Sequence, residues 1–186
     1  MDFVYQGTCW KFGDNLSVDA DLTKKEFASS RETRLEVLRE FVMCGIDPDF
    51  HKKAKPHDIV VAGRRFAQGN PHIQGLLGLK SLDLGFVCET IPRGSYRNAI
   101  NAGVPFITKC WGVPDQCETG DDLRVDFAKG TFENLTRGTR VQYEPIPNVL
   151  LEKIAIGSWE KTVALRIATL RAQGLMKPSK AATALA

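Results

Sequence analysis

No run of about 18 consecutive apolar residues occurs in this 186-residue sequence, so no membrane-spanning helix is expected. The opening Met1-Asp2-Phe3 carries an acid and leads into no apolar h-region, so no signal peptide is expected either. Cysteine is sparse and scattered: Cys9, Cys44, Cys88, Cys110 and Cys117. Their number is odd and no CxxC occurs. That pattern argues against a disulfide framework and against a self-contained zinc or iron–sulfur site, and it suits free thiols in the cytoplasm. Concentrated positive charge is lacking too. The net charge of +3 is too small, and its carriers too dispersed, to suggest nucleic acid as a partner. The one short basic run, Lys52, Lys53 and Lys55, reads as a solvated loop.

What is present is ordinary soluble composition, 43% apolar and 25% charged, which suits one buried core. The chain is organised around Asp58 to Phe106. Ile59-Val60-Val61-Ala62 is a short apolar run of the kind that forms a buried strand. Gly63-Arg64-Arg65-Phe66-Ala67-Gln68-Gly69-Asn70 follows as a loop. Pro71 then suits the first turn of a helix, with Asn70 as its cap, over Pro71 to Leu79. A glycine-bearing loop feeding a helix start presents N–H donors, and two arginines sit in it. The pattern points to a carboxylate or phosphate site.

A second strand is expected over Gly85 to Cys88, then a helix from Arg93 to Asn101 ending at Gly103. A third strand follows over Val104 to Ile107. Such alternation implies a small parallel sheet with right-handed βα crossovers. Upstream, residues 3–12 read as a strand and Gly13-Asp14-Asn15 as a turn. The spacing of Leu35, Leu38, Phe41 and Val42 predicts a helix over Glu32 to Met43, stopped by Gly45. A polar loop is expected over 46–57. Downstream, Leu123 to Phe127, Thr131 to Leu135 and Thr139 to Tyr143 read as a meander of short strands. A helix from Asn148 to Gln173 follows, interrupted near Gly157-Ser158, with Ile154, Val163, Ile167 and Leu170 facing the body. The organisation expected is a domain over 1–147, a helical extension over 148–174 and a loose tail over 175–186.

Three blocks resemble the swivelling domain of the aconitase superfamily, above all the small subunit of 3-isopropylmalate dehydratase. They are Trp10 to Asp19 with its glycine–aspartate–asparagine turn, Ile59 to Gly69, and Arg93 with Tyr96-Arg97-Asn98-Ala99-Ile100-Asn101-Ala102-Gly103. Val125-Asp126, Gly130 and Asn134 follow in that family's order. The resemblance implies an α/β fold, a swivelling β/β/α domain with a parallel sheet, a β meander and a C-terminal helix. It implies half of a heterodimeric hydro-lyase or isomerase acting on a hydroxy-dicarboxylate, inactive alone. The larger partner would carry a [4Fe–4S] cluster, and this chain would bind no cofactor, nucleic acid or membrane. The family's small partner supplies a serine base and an arginine that holds the substrate carboxylate.

Where that family has serine–serine–arginine after the glycine, this sequence has Asn70-Pro71-His72. Asparagine is no base at neutral pH but can hydrogen-bond. Imidazole titrates near neutrality, so His72 is the candidate base, set against a merely structural histidine. Asp19 is a candidate to orient it, or else a turn cap. Arg64 and Arg65, with Gln68 and Gly69, are the candidate substrate-binding residues. For the two arginines the alternative is a surface ion pair. Ser95 reads as a local helix cap, Arg31 and Arg34 as a solvated helix face, and Trp111 as core or interface. A second reading makes the whole chain a non-catalytic relative that has lost the base.

Overall fold

Ile59, Val60, Val61 and Ala62 are wholly buried and form strand β2 (Ile59–Ala62) in the interior of a seven-stranded sheet, next to its central strand. The computed structural model describes residues 3–176; the remainder of the expected tail, 177–186, lies outside the described residues. Strand β1 (Val4–Lys11) runs parallel to β2, which is followed across the sheet by β3 (Gly85–Cys88) and β4 (Phe106–Ile107), all parallel. On its other side β1 pairs antiparallel with β5 (Asp122–Asp126). Strands β6 (Thr131–Asn134) and β7 (Thr139–Gln142) continue as the expected meander. The sheet order is β4-β3-β2-β1-β5-β6-β7. The mixed α/β architecture expected from the sequence is the one found.

Successive side chains of a strand point to opposite faces, and both faces here are covered. Val60, Ala62, Phe86 and Phe106 pack against Leu76, Leu79, Ala99, Leu151 and Ile154 from the helices. Ile59, Val61, Val87 and Ile107 pack on the other face with Tyr5, Leu123, Val125, Phe127 and Phe132. Full burial of each such side chain stabilises by about 1.5–3 kcal/mol. Aromatic contacts add direction: Phe86 stacks on Phe106 with ring centroids 5.0 Å apart and planes within 8°.

The helix expected over Glu32 to Met43 is not continuous. Helix α1 (Lys25–Ser30) ends at Arg31, whose φ is 54°, and α2 spans only Leu35–Arg39. Between them the Glu32 carboxylate accepts hydrogen bonds from the Thr33 and Arg34 backbone and turns the chain. Met43 (φ 55°) then donates its N–H to Leu22 O. Tertiary anchoring overrides helical periodicity here. Leu38 and Val42 are buried as expected, whereas Leu35 is exposed. The loop expected over 46–57 contains a short helix, α3 (Phe50–Lys53). Its Phe50 is buried edge-on to Trp10. The basic run makes local pairs, Lys52 with Asp49 and Lys53 with Asp47.

Helix α4 covers Gln74–Ser81 rather than starting at Pro71, and Asn70 is not its cap. Pro71 O accepts from Asn98 Nδ2 and His72 is drawn to Asp19, so the chain turns helical only afterwards. Helix α5 (Arg93–Ala102) matches expectation and is closed by Gly103 at φ 73°. The C-terminal pair, α6 (Asn148–Ile156) and α7 (Trp159–Ala172), breaks at Gly157-Ser158 as predicted. Ile154 is buried, but Val163 is exposed and Ile167 and Leu170 are only half-buried. Helix α7 therefore presents no fully buried residue.

Candidate functional site

The carboxyl ends of β1, β2 and β3 lie side by side, the usual place for a ligand in an open α/β sheet. The loop after β2 is stitched to the other two ends. Gly63 N donates to Gly13 O at 3.3 Å, and Asn15 N donates to Arg64 O at 2.7 Å. Arg64 N donates to Asp14 Oδ1 at 2.7 Å. A Cβ on Gly63 would stand 1.9 Å from Asp14 Oδ1, so any other residue there has to displace the carboxylate that caps Arg64 N. Toward β3, Arg65 N donates to Thr90 Oγ1 at 2.8 Å and Phe66 N to Thr90 O at 2.9 Å. The buried Phe66 ring packs 4.7 Å from that of Phe86. Ser95 donates from Oγ to Ala67 O, so it ties α5 to the loop rather than capping its own helix.

The loop is held in unusual backbone angles. Asn15, Arg65 and Ala67 have φ of 64°, 54° and 57°, and Gly69 has 109°. Such conformations cost about 1–3 kcal/mol each outside glycine and gather at functional sites. They have also consumed most of the loop's donors internally. The N–H groups of Gly69 and Asn70, at the far end of the loop, make no hydrogen bond among the described residues. With the Ala67 N–H, which likewise makes none, the N–H donors left to cradle an anion lie in the second half of the loop.

There the three residues singled out as catalytic candidates meet. His72 Nδ1 lies 2.7 Å from Asp19 Oδ2, and His72 Nε2 lies 3.4 Å from Asn70 Nδ2. Asp19 accepts through Oδ2, so Nδ1 carries the proton and Nε2 keeps its lone pair in the neutral ring. The second carboxylate oxygen of Asp19, Oδ1, is buried with no hydrogen-bond partner. The His72 side chain is 36% exposed and Asp19 19%, so the dyad is open on the imidazole side.

The arginines are less available. Arg64 Nε donates to Glu89 Oε2 at 3.1 Å, an exposed ion pair, and Arg65 Nε donates to Asn15 Oδ1 at 2.6 Å. Both stand at the start of the loop, while Gln68 and Gly69 lead into the dyad. Gln68 uses Nε2 on Asn15 O at 2.6 Å and holds Leu16 and Val18 through its backbone. Asn15 thus binds both Arg65 and Gln68, a role the sequence signalled only as a turn. Arg34 is paired with Glu32, and Arg31 is exposed. Trp111 is 62% exposed, which excludes a core role. Among the described residues no group of three or more His, Cys, Asp or Glu side chains could hold a metal ion.

No family model matches the chain. Curated proteins do. The isopropylmalate/citramalate isomerase small subunit of Methanocaldococcus jannaschii is 39% identical over 158 residues, spanning 84% of this chain and 92% of its own. The 3-isopropylmalate dehydratase small subunit 2 of Archaeoglobus fulgidus is 38% identical over 147 residues, spanning 78% of this chain and 86% of its own. The methanogen homoaconitase small subunit of Methanothermobacter thermautotrophicus is 32% identical over 158 residues, spanning 84% and 89%. The crystal structure of 3-isopropylmalate dehydratase from Methanocaldococcus jannaschii superposes with a TM-score of 0.80 at 26% identity. It matches 91% of this chain and 99% of that one.

Proposed function

From the premise that the chain belongs to the family of 3-isopropylmalate dehydratase small subunits, we propose that it works with a larger subunit as a hydro-lyase or isomerase. The substrate class is a hydroxy-dicarboxylate, and the carrying observation is the Asp19–His72 pair beside the loop end.

In this reading His72 Nε2 removes the proton from the carbon beside a substrate carboxylate. Asp19 holds the Nδ1 proton, fixes the tautomer and stabilises the imidazolium that forms, as a carboxylate does in any oriented histidine base. Asn70 Nδ2 lies 3.4 Å from the same nitrogen and has to yield its lone pair to the substrate C–H for the base to act. The N–H groups of Gly69 and Asn70 are placed to receive the substrate carboxylate, with Arg64 and Arg65 able to add charge from their terminal nitrogens. The proton returns from Nε2 to the neighbouring carbon when water is added back. The [4Fe–4S] cluster implied by the resemblance is assigned to the larger partner, where it supplies Lewis-acid chemistry toward the leaving hydroxide.

Co-expression with the large subunit encoded nearest to this chain tests the reading. The complex should dehydrate at least one of 3-isopropylmalate and citramalate, and lose that activity on His72→Ala. Complex formation without turnover of any of them would instead favour a non-catalytic subunit.

A further inference from the structure

We propose that the cleft between α5 and the segment following β7 is a second binding site. Its ligand is a small organic carboxylate with an apolar body. The cleft encloses about 670 Å³, within the size range of small-molecule sites, and opens at the carboxyl ends of β3 and β4.

Arg93 and Arg97 stand four residues apart on α5, so both guanidinium groups project over the same rim. Neither makes an ion pair or hydrogen bond among the described residues. The acidic groups lining the cleft are already engaged. Glu89 takes Arg64 Nε on one oxygen and Gly112 N on the other, and Glu144 faces Lys109 at 3.6 Å. The rim therefore carries two positive charges with no acidic partner among the described residues, a setting that favours a carboxylate.

The floor beneath them is apolar. Ile146 is 5% exposed, Tyr96 packs edge-on to Phe106 at 5.0 Å, and Ile91 flanks them. Pro145 and Pro147 form the far wall, with fixed φ and no N–H to satisfy. A hydrocarbon body fits such a floor, which a bare phosphate leaves unused. Thr90 borders the cleft and also clamps the loop after β2, so an occupant touches the back of the residue that holds that loop. The inference does not depend on the role given to His72.

The test uses the full ¹⁵N-labelled chain titrated with 4-methylpentanoate, its uncharged amide and inorganic phosphate. The carboxylate should give saturable shifts at the amides of residues 93–97 and 108–109, weakened by added salt. The amide analogue and phosphate should bind at least about tenfold more weakly. Arg93→Gln with Arg97→Gln should lose at least about tenfold in affinity, and each single change should lose part of it. Absent or unsaturable shifts, undiminished binding by the double variant, or equal binding of phosphate would overturn the proposal. So would loss of large-subunit binding in the double variant with no ligand response, which marks a docking surface instead.

Discussion

His72 Nδ1 and Asp19 Oδ2 meet at 2.7 Å although 53 residues separate them in the chain. The contact joins the turn after β1 to the end of the loop after β2, and it brings a base and its orienting carboxylate to the open end of the sheet. In the reconstituted complex, His72→Ala should lower kcat by about 10²-fold or more. Asp19→Asn should lower it by at least about tenfold while leaving the chain folded. Steady-state kinetics beside a thermal melt separates the two effects, and activity of His72→Ala equal to the parent would remove the histidine from the mechanism.

Gly63→Ala should destabilise the chain and displace the loop, because the new methyl collides with the Asp14 carboxylate that caps Arg64 N. Gly13→Ala, with nothing within 4 Å of the added carbon, should be tolerated at the same turn. Urea unfolding of the two variants side by side measures the difference, expected at about 1–3 kcal/mol.

Asp58 is 2% exposed and accepts hydrogen bonds from Thr8 N, Trp10 Nε1 and Lys55 N. It fastens β1 to the segment entering β2. Asp58→Ala leaves three donors without their acceptor and should cost about 3 kcal/mol or more. A chemical-denaturation midpoint unchanged from the parent would contradict this.

Thiol labelling should be selective. Burial pushes Cys88 up to about 12 and raises Cys110 as well, and a hydrogen bond with Cys117, aided by burial, raises Cys9. The neighbouring Cys9 draws Cys117 down, but that thiol is fully enclosed. Cys44 is half-buried, and desolvation raises it. A disulfide reagent at pH 8 should therefore modify Cys44 first, faster as the pH rises, and reach the other four only on unfolding. Mass mapping of the modified peptides checks the order.

The Glu32 carboxyl is held down to about 2, chiefly by the Arg34 side chain and then by the Arg34 backbone N–H. A folded value depressed below the ordinary range contributes stability above that range. The contribution is lost as pH falls toward about 2. Arg34→Gln should return Glu32 toward the ordinary range, and a carbon-detected NMR titration of its carboxyl reads the change.

Much of this architecture was legible in residue pattern. Ile59 to Ala62 and Gly85 to Cys88 are unbroken apolar runs between turn signals, and each is a strand. The α6–α7 break was marked by Gly157-Ser158, which sits at φ 93° followed by a serine cap. Failures came where a long-range contact outweighed local preference. Pro71 looked like a helix start, yet Asn98 holds its carbonyl and Asp19 holds the next residue, so the helix begins at Gln74. Within the site, Asp19, Asn70 and His72 could be proposed from residue type and resemblance. The pairing of Asn15 with Arg65 could not, because nothing local tells an arginine which of several distant acceptors it will meet.

Strand β1 has its parallel partner in β2 and its antiparallel partner in β5, with Val4 opposite Asp126. During synthesis it emerges before every other strand, yet one of its edges stays uncovered until more than a hundred further residues have been made. Long-range pairing of this kind slows folding and leaves an unpaired edge exposed to other chains. The first strand of the sheet to be made therefore waits longest for its second neighbour, and the yield of folded chain should hinge on what shields that edge in the interval.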